Sequence, residues 1–135
     1  MPERTIADDE VLYRRIPPGS KWFEPPERIS SYNYKLRPHE VGISVYRAVV
    51  IDVAGVLGKP EAIAGSHVAG TTARDIRAAR NGKGEPLGLD VVAVNDENDP
   101  GHAEIRGDSL VHRASSAAKA LKKPFRLAES PSEEG

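Results

Sequence analysis

The chain contains no cysteine among its 135 residues. Disulfides, thiolate catalysis and cysteine-based zinc sites are therefore excluded. Aromatic residues are scarce, at 5%. The core must then rest on Val, Ile, Leu and Ala, and alanine removes little apolar area per buried residue. No apolar run approaches the ~20 residues that a spanning helix needs. The N-terminal stretch MPERTIADDEV is acidic and lacks the apolar segment of a secretory signal. Neither sign of charge dominates: 19 Lys and Arg face 20 Asp and Glu, for a net charge of −1. A general nucleic-acid binder would carry a basic excess to displace counterions, although a local basic patch is compatible with this balance. Together these absences lead us to expect a cytoplasmic protein with no membrane association.

Eleven prolines and twelve glycines, by contrast, imply many turns. Val11 to Ile16 has strand character and stops at Pro17-Pro18-Gly19. Residues 17–28 hold four prolines with Trp22 and Phe23, and are read as a loop whose aromatics cover the core edge. Ile29 to Leu36 reads as a short extended piece, and Gly42 to Val50 as a strand. Val49 to Leu57 is ambiguous: its β-branched residues favour a strand, while Ala54 and Leu57 suit a helix. Gly58-Lys59-Pro60-Glu61 looks like a short helix start. His67 to Thr71 reads as a strand. Thr72 with Asp75 then forms a capping pair for a helix to about Arg80. The continuously apolar stretch Leu89 to Asn95 predicts a central strand, with Ala103 to Arg106 as its hairpin partner. Asp108 can cap a last helix over 109–123, with Leu110, Ala114, Ala117, Ala118 and Leu121 on one face.

Helices and strands mix without strict alternation, so the expected class is α+β. We expect one small domain over 11–127, a mainly antiparallel sheet with two or three short helices. A flexible N-terminus (1–10) and a disordered acidic tail (128–135) would flank it.

The stretch NDENDPGHAEIRGD, residues 95–108, crowds charge around a histidine. It fails as a calcium loop. With Asp96 at position one, Pro100 falls where an oxygen ligand is needed and Gly107 where the bidentate Glu should be. AGVLGKP fails as a phosphate loop because Pro60 replaces the magnesium-binding hydroxyl. His102 and Glu104 are two apart on a strand and share a face, which suits an acid–base pair. Arg14 and Arg15 alternate across the first strand, so one of them can reach a phosphate or carboxylate in a cleft. Ser30, Ser31 and Ser44 offer hydroxyls, but no His/Asp spacing marks any as a nucleophile. The last helix carries a basic face of Lys119, Lys122 and Lys123, followed by Arg126, with no aromatic interleaved.

Taken together, LYRRIPP, ISSYNY, GISVYR and DPGHAEIRG resemble the blocks of a group of small uncharacterised bacterial proteins. The resemblance spans most of residues 11–123, and its DPxHAxIxG block is the most specific part. That group has no assigned activity, so the resemblance implies polar landmarks (Arg14, Ser30, Ser31, Ser44, His102) and no mechanism. A fainter resemblance is to NAD-using ADP-ribosyltransferase-like proteins. There an arginine, a serine or tyrosine, and an acid surround the nicotinamide end of NAD. Arg14, Ser44 and Tyr46 fit that pattern, whereas Glu104 lacks the flanking residues of a catalytic acid.

Three functional readings follow. The first is an accessory module that binds a protein partner. The second is a small enzyme whose cleft gathers Arg14, Ser30, Ser31, Ser44, His102 and Glu104, using NAD in the ADP-ribosyltransferase-like version. The third is a weak RNA binder acting through the basic C-terminal helix. No metal or resident cofactor is expected.

Overall fold

The computed structural model describes residues 6–24, 28–36, 40–60, 62–94, 97–112 and 114–129. Its centre is a six-stranded antiparallel sheet built from β1 (Val11–Ile16), β4 (Ile43–Arg47), β5 (His67–Thr72), β6 (Asp90–Ala93), β7 (His102–Arg106) and β8 (Arg126–Glu129). The strand order is β6-β7-β4-β1-β5-β8. Two short strands, β2 (Phe23–Glu24) and β3 (Arg28–Ile29), pair separately. The helices are α1 (Val53–Leu57), α2 (Ala73–Arg77), α3 (Asp108–His112) and α4 (Ala114–Lys122). The class is therefore α+β, as the mixed pattern predicted.

Period-two alternation divides the sheet into two faces. Leu12, Ile16, Ile43, Val45, Ala69, Val91, Ala103 and Ile105 belong to the main core, together with Ile76, Leu110, Ala117 and Leu121 from the helices. On the other face Tyr46 and Val68 pack with Val56 of α1 in a smaller cluster. α1 thus covers only part of that second face. Among the described residues no helix is long and apolar enough to cross a membrane.

Several local expectations change. The ambiguous stretch Val49 to Leu57 resolves to a helix over Val53–Leu57, because Asp52 Oδ1 accepts from Gly55 N and caps it. Gly58 closes that helix instead of opening another; Glu61 lies outside the described residues. Ser31–Tyr34 forms a 3-10 turn, not a strand, since the Ser30 hydroxyl accepts from Tyr32 N. Thr72 does cap α2 by accepting from Asp75 N, but the helix ends at Arg77. Asp108 is the first residue of α3 rather than its cap.

The apolar strand β6 is an edge strand, not a central one. Its Val91 and Ala93 are buried on the main core. Its outer border is finished locally: Asp90 Oδ1 accepts from Val91 N and from Arg77 Nε of α2. An apolar run can therefore be accommodated without a strand on both sides.

Residues 6–10 and 128–129, placed by expectation in the flanks, pack against the sheet and helices. Ile6 is fully buried, and its carbonyl accepts from Arg77 Nη2 at 2.6 Å. Glu10 makes a two-pronged pair with Arg47, 2.9 Å on each side. The guanidinium beside Glu10 holds its carboxyl below the usual range. At the other end, Ala128 and Glu129 belong to β8 on β5. Residues 1–5 and 130–135 lie outside the described residues.

Ile6→Ala should destabilise the fold by about 2–5 kcal/mol in urea unfolding. A loose N-terminus would give no change. His67, whose ring stacks on Phe23 at 4.1 Å, has its imidazole pKa pushed down by burial. Below about pH 6.5 the unfolded chain takes up a proton that the folded one refuses, so stability should fall as pH drops through that value. Unfolding curves of His67→Gln should lose that component of the slope relative to wild type.

Candidate functional site

The β1–β4 ladder contains only two residue pairs, Leu12 with Arg47 and Tyr13 with Tyr46. Beyond them the Ser44 carbonyl is taken by a side chain instead of a strand: Arg14 Nη1 donates to it at 2.7 Å. Arg14 Nε and Nη2 both donate to the Asn33 carbonyl, at 3.2 and 2.8 Å. One guanidinium thereby ties β1, β4 and the 3-10 turn together. Asn33 is buried, and its amide nitrogen donates to the carbonyls of Trp22 and Ser30, which fixes the turn from the other side.

A cleft of about 370 Å³ opens where the ladder stops. This lies within the ~300–1,000 Å³ typical of small-molecule sites. Arg14, Arg15, Ser44, Tyr46 and His102 line it from the sheet, and Asp99 from the turn before β7. Trp22, Tyr32 and Lys35 line it from the opposite side. Alternation predicted one of the two arginines in a cleft. Both are there, because the shortened ladder lets Arg14 reach across.

Ser44 Oγ and His102 Nε2 stand 3.1 Å apart, on neighbouring strands and 58 residues apart in sequence. The Tyr46 ring lies beside the His102 ring, with centroids 5.9 Å apart. Tyr46 donates its hydroxyl to Asp99 Oδ2 at 3.2 Å. Lys59 pairs with the other oxygen of Asp99 and sits over the Tyr46 ring, 5.0 Å from its centroid. Asp99 is thus committed to Tyr46 and Lys59. A hydrolase triad needs a carboxylate on the far imidazole nitrogen, and Asp99 does not play that part. Ser44 and His102 form a polar pair suited to hydrogen-bonding a ligand or moving one proton.

The remaining sequence candidates divide. Glu104 stands directly across the ladder from Ser44, but its carboxylate accepts from Arg106 Nε at 3.0 Å and does not line the cleft. Ser30 and Ser31 line a neighbouring recess, not this one. Among the described residues no three His, Asp or Glu side chains gather as a metal site; Asp96 lies outside them.

The DPxHAxIxG block can be read position by position. Asp99 orders Tyr46 and Lys59. Gly101 takes φ +85 against Val50 and Ile51, where a Cβ would sit 3.1 Å from Val50; both the turn and the close approach require glycine. Its carbonyl accepts from Arg47 N at 2.8 Å. His102 meets Ser44. Ala103 and Ile105 are fully buried. At Gly107 a Cβ would come within 2.7 Å of Leu89.

Sequence reasoning missed Asp99, Lys59, Asn33 and the aromatic wall. Asp99 could have been found from its block. Lys59, 40 residues away, carries no local signal.

No protein-family model, curated protein or solved structure matches the chain, so the site is read from its geometry.

Arg14→Ala removes the shared clamp and should cost about 1–3 kcal/mol in chemical unfolding. Arg14→Lys should recover less than half, because an ammonium cannot bridge the two carbonyls as a planar fork does.

Proposed function

We propose that the protein is a small enzyme that takes NAD as substrate in the cleft around Arg14, Ser44, Tyr46 and His102. The observation that carries this reading is the convergence itself. An arginine, a serine and a tyrosine on adjacent strands, with a histidine on the third, meet at one cleft.

The chemistry of the walls matches the parts of such a substrate. Arg14, Arg15 and Lys35 outnumber the two carboxylates that line the cleft, Glu40 and the Lys59-paired Asp99, and so provide positive charge for a pyrophosphate. Trp22 and Tyr32, edge to face with centroids 5.0 Å apart, offer aromatic surface for a base. Ser44 Oγ and His102 Nε2 present a hydroxyl and a ring nitrogen that can hydrogen-bond a carboxamide or a ribose hydroxyl. In the reaction the bond from ribose C1′ to the nicotinamide nitrogen breaks, and nicotinamide leaves with the electron pair. An acceptor oxygen forms the new bond to C1′, and its proton passes to a base. His102 is better placed for that proton than Glu104, which Arg106 holds.

A protein-binding module remains the second reading. Its support is a set of exposed apolar side chains, Val41, Val49, Val50, Ile63 and Val111. They come from separate loops and from α3, and scattered apolar side chains are ordinary on a surface. The cleft is the more specific feature.

Isothermal titration with NAD, followed by a nicotinamide-release assay, tests the proposal. Wild type should bind and release nicotinamide. Ser44→Ala and Arg14→Ala, compared at equal folded fraction, should each weaken binding about 10- to 100-fold, the loss of one charge-assisted or buried polar contact. His102→Ala should reduce turnover more than binding. No binding by wild type, or variants indistinguishable from it, would sink the reading.

A further inference from the structure

The cleft does not end at its own walls. Tyr32 and Lys35 line it and also line the neighbouring recess of about 360 Å³. That recess carries three ammonium groups, Lys21, Lys35 and Lys119, and three serine hydroxyls, Ser30, Ser31 and Ser115. No carboxylate lines it among the described residues. At the C-terminal end of helix α4, which also lines this recess, lies a second one, of about 330 Å³. Arg28, Lys122, Lys123 and Arg126 line this one, again with no carboxylate among the described residues. Of these seven cations, Arg28 alone has an ion-pair partner among the described residues, exposed Glu24 at 3.5 Å.

A chain with a net charge of −1 has thus placed seven positive groups in two recesses along the border of α4, the first of which shares Tyr32 and Lys35 with the cleft. Mutual repulsion makes that arrangement costly unless something negative lies there. Two arms are positioned rather than swinging free: Lys122 Nζ donates to the Ile29 carbonyl at 3.1 Å, and Arg126 Nη1 to the Phe125 carbonyl at 3.1 Å. Aromatic surface stands at the junction of cleft and recess. Tyr32 is 42% exposed, and Lys21 Nζ lies 4.5 Å from its ring centroid.

We infer that this border binds a single-stranded nucleic acid, whose backbone follows the basic track and whose end enters the cleft as the acceptor. A repeating phosphate backbone matches cations spaced along two recesses, and unstacked bases match the exposed rings. A folded acidic protein would use the charge but has no need of the rings. The acceptor role rests on the NAD reading above; the binding surface does not.

Fluorescence anisotropy with a labelled oligonucleotide of about 12 nucleotides, as DNA and as RNA, tests the inference on the full chain. The logarithm of the association constant should fall with the logarithm of salt concentration with a slope of about −2 to −4, or ~0.7 for each phosphate neutralised. Lys119→Gln with Lys123→Gln, both exposed and outside the cleft, should reduce that slope by about 1.4 and leave NAD titration unchanged. Ser44→Ala should do the converse, losing NAD affinity and keeping the oligonucleotide. Absence of oligonucleotide binding, a slope the lysine variant leaves unchanged, or displacement by poly-glutamate as readily as by unlabelled strand would overturn the inference. Oligonucleotide binding with no NAD binding would overturn the acceptor role and the earlier reading while leaving the surface in place.

Discussion

Arg14 is the residue on which the functional half of the molecule depends. Three of its hydrogen bonds go to backbone carbonyls of two other segments, Asn33 and Ser44. A guanidinium is suited to this role because its donors are rigidly splayed and it stays charged when partly buried. It substitutes for the missing rungs between β1 and β4. Without those rungs there is a gap in the sheet, and with the guanidinium in place the gap is a defined cleft and not a frayed edge. The same group holds the 3-10 turn, and therefore Trp22 and Tyr32, at a fixed distance from the sheet.

Behind the clamp the packing is economical. α4 presents Ala117, Ala118, Ala120 and Leu121 inward, all buried. Small residues let the helix lie close against the 3-10 turn, so that Lys119 lines the recess beside the cleft. Tyr34 fills the space beneath: it is fully buried, rests on Phe125 with centroids 4.7 Å apart, and burial pushes its phenol pKa upward. Few aromatics are needed because the ones present sit at the joints between layers.

The sequence was most legible where one local rule dominated. β1 and β5 follow from their strand-like composition, the β6–β7 hairpin from a continuous apolar run and its partner, and the cap on α2 from Thr72 and Asp75. It was least legible where a single side chain overrode propensity. Asp52 turned a β-branched stretch into a helix, and Ser30 turned an aromatic stretch into a 3-10 turn. Edge or central position could not be read for β6, because an apolar run reports burial and not the number of neighbours.

By itself the sequence determined the class, the absence of thiol chemistry, the near-neutral charge and the residue types that could carry a site. Only the tertiary structure decided which of them meet. It put Arg14, Ser44 and His102 together, placed Ser30 and Ser31 in the next recess, and gave Glu104 to Arg106. It also set Tyr32 in one recess with Lys119, which is far from it along the chain. The physical reason is register. Strand pairing fixes which residues lie side by side to within one position, and where the β1–β4 ladder stops is set by contacts between segments dozens of residues apart. No local pattern records such contacts.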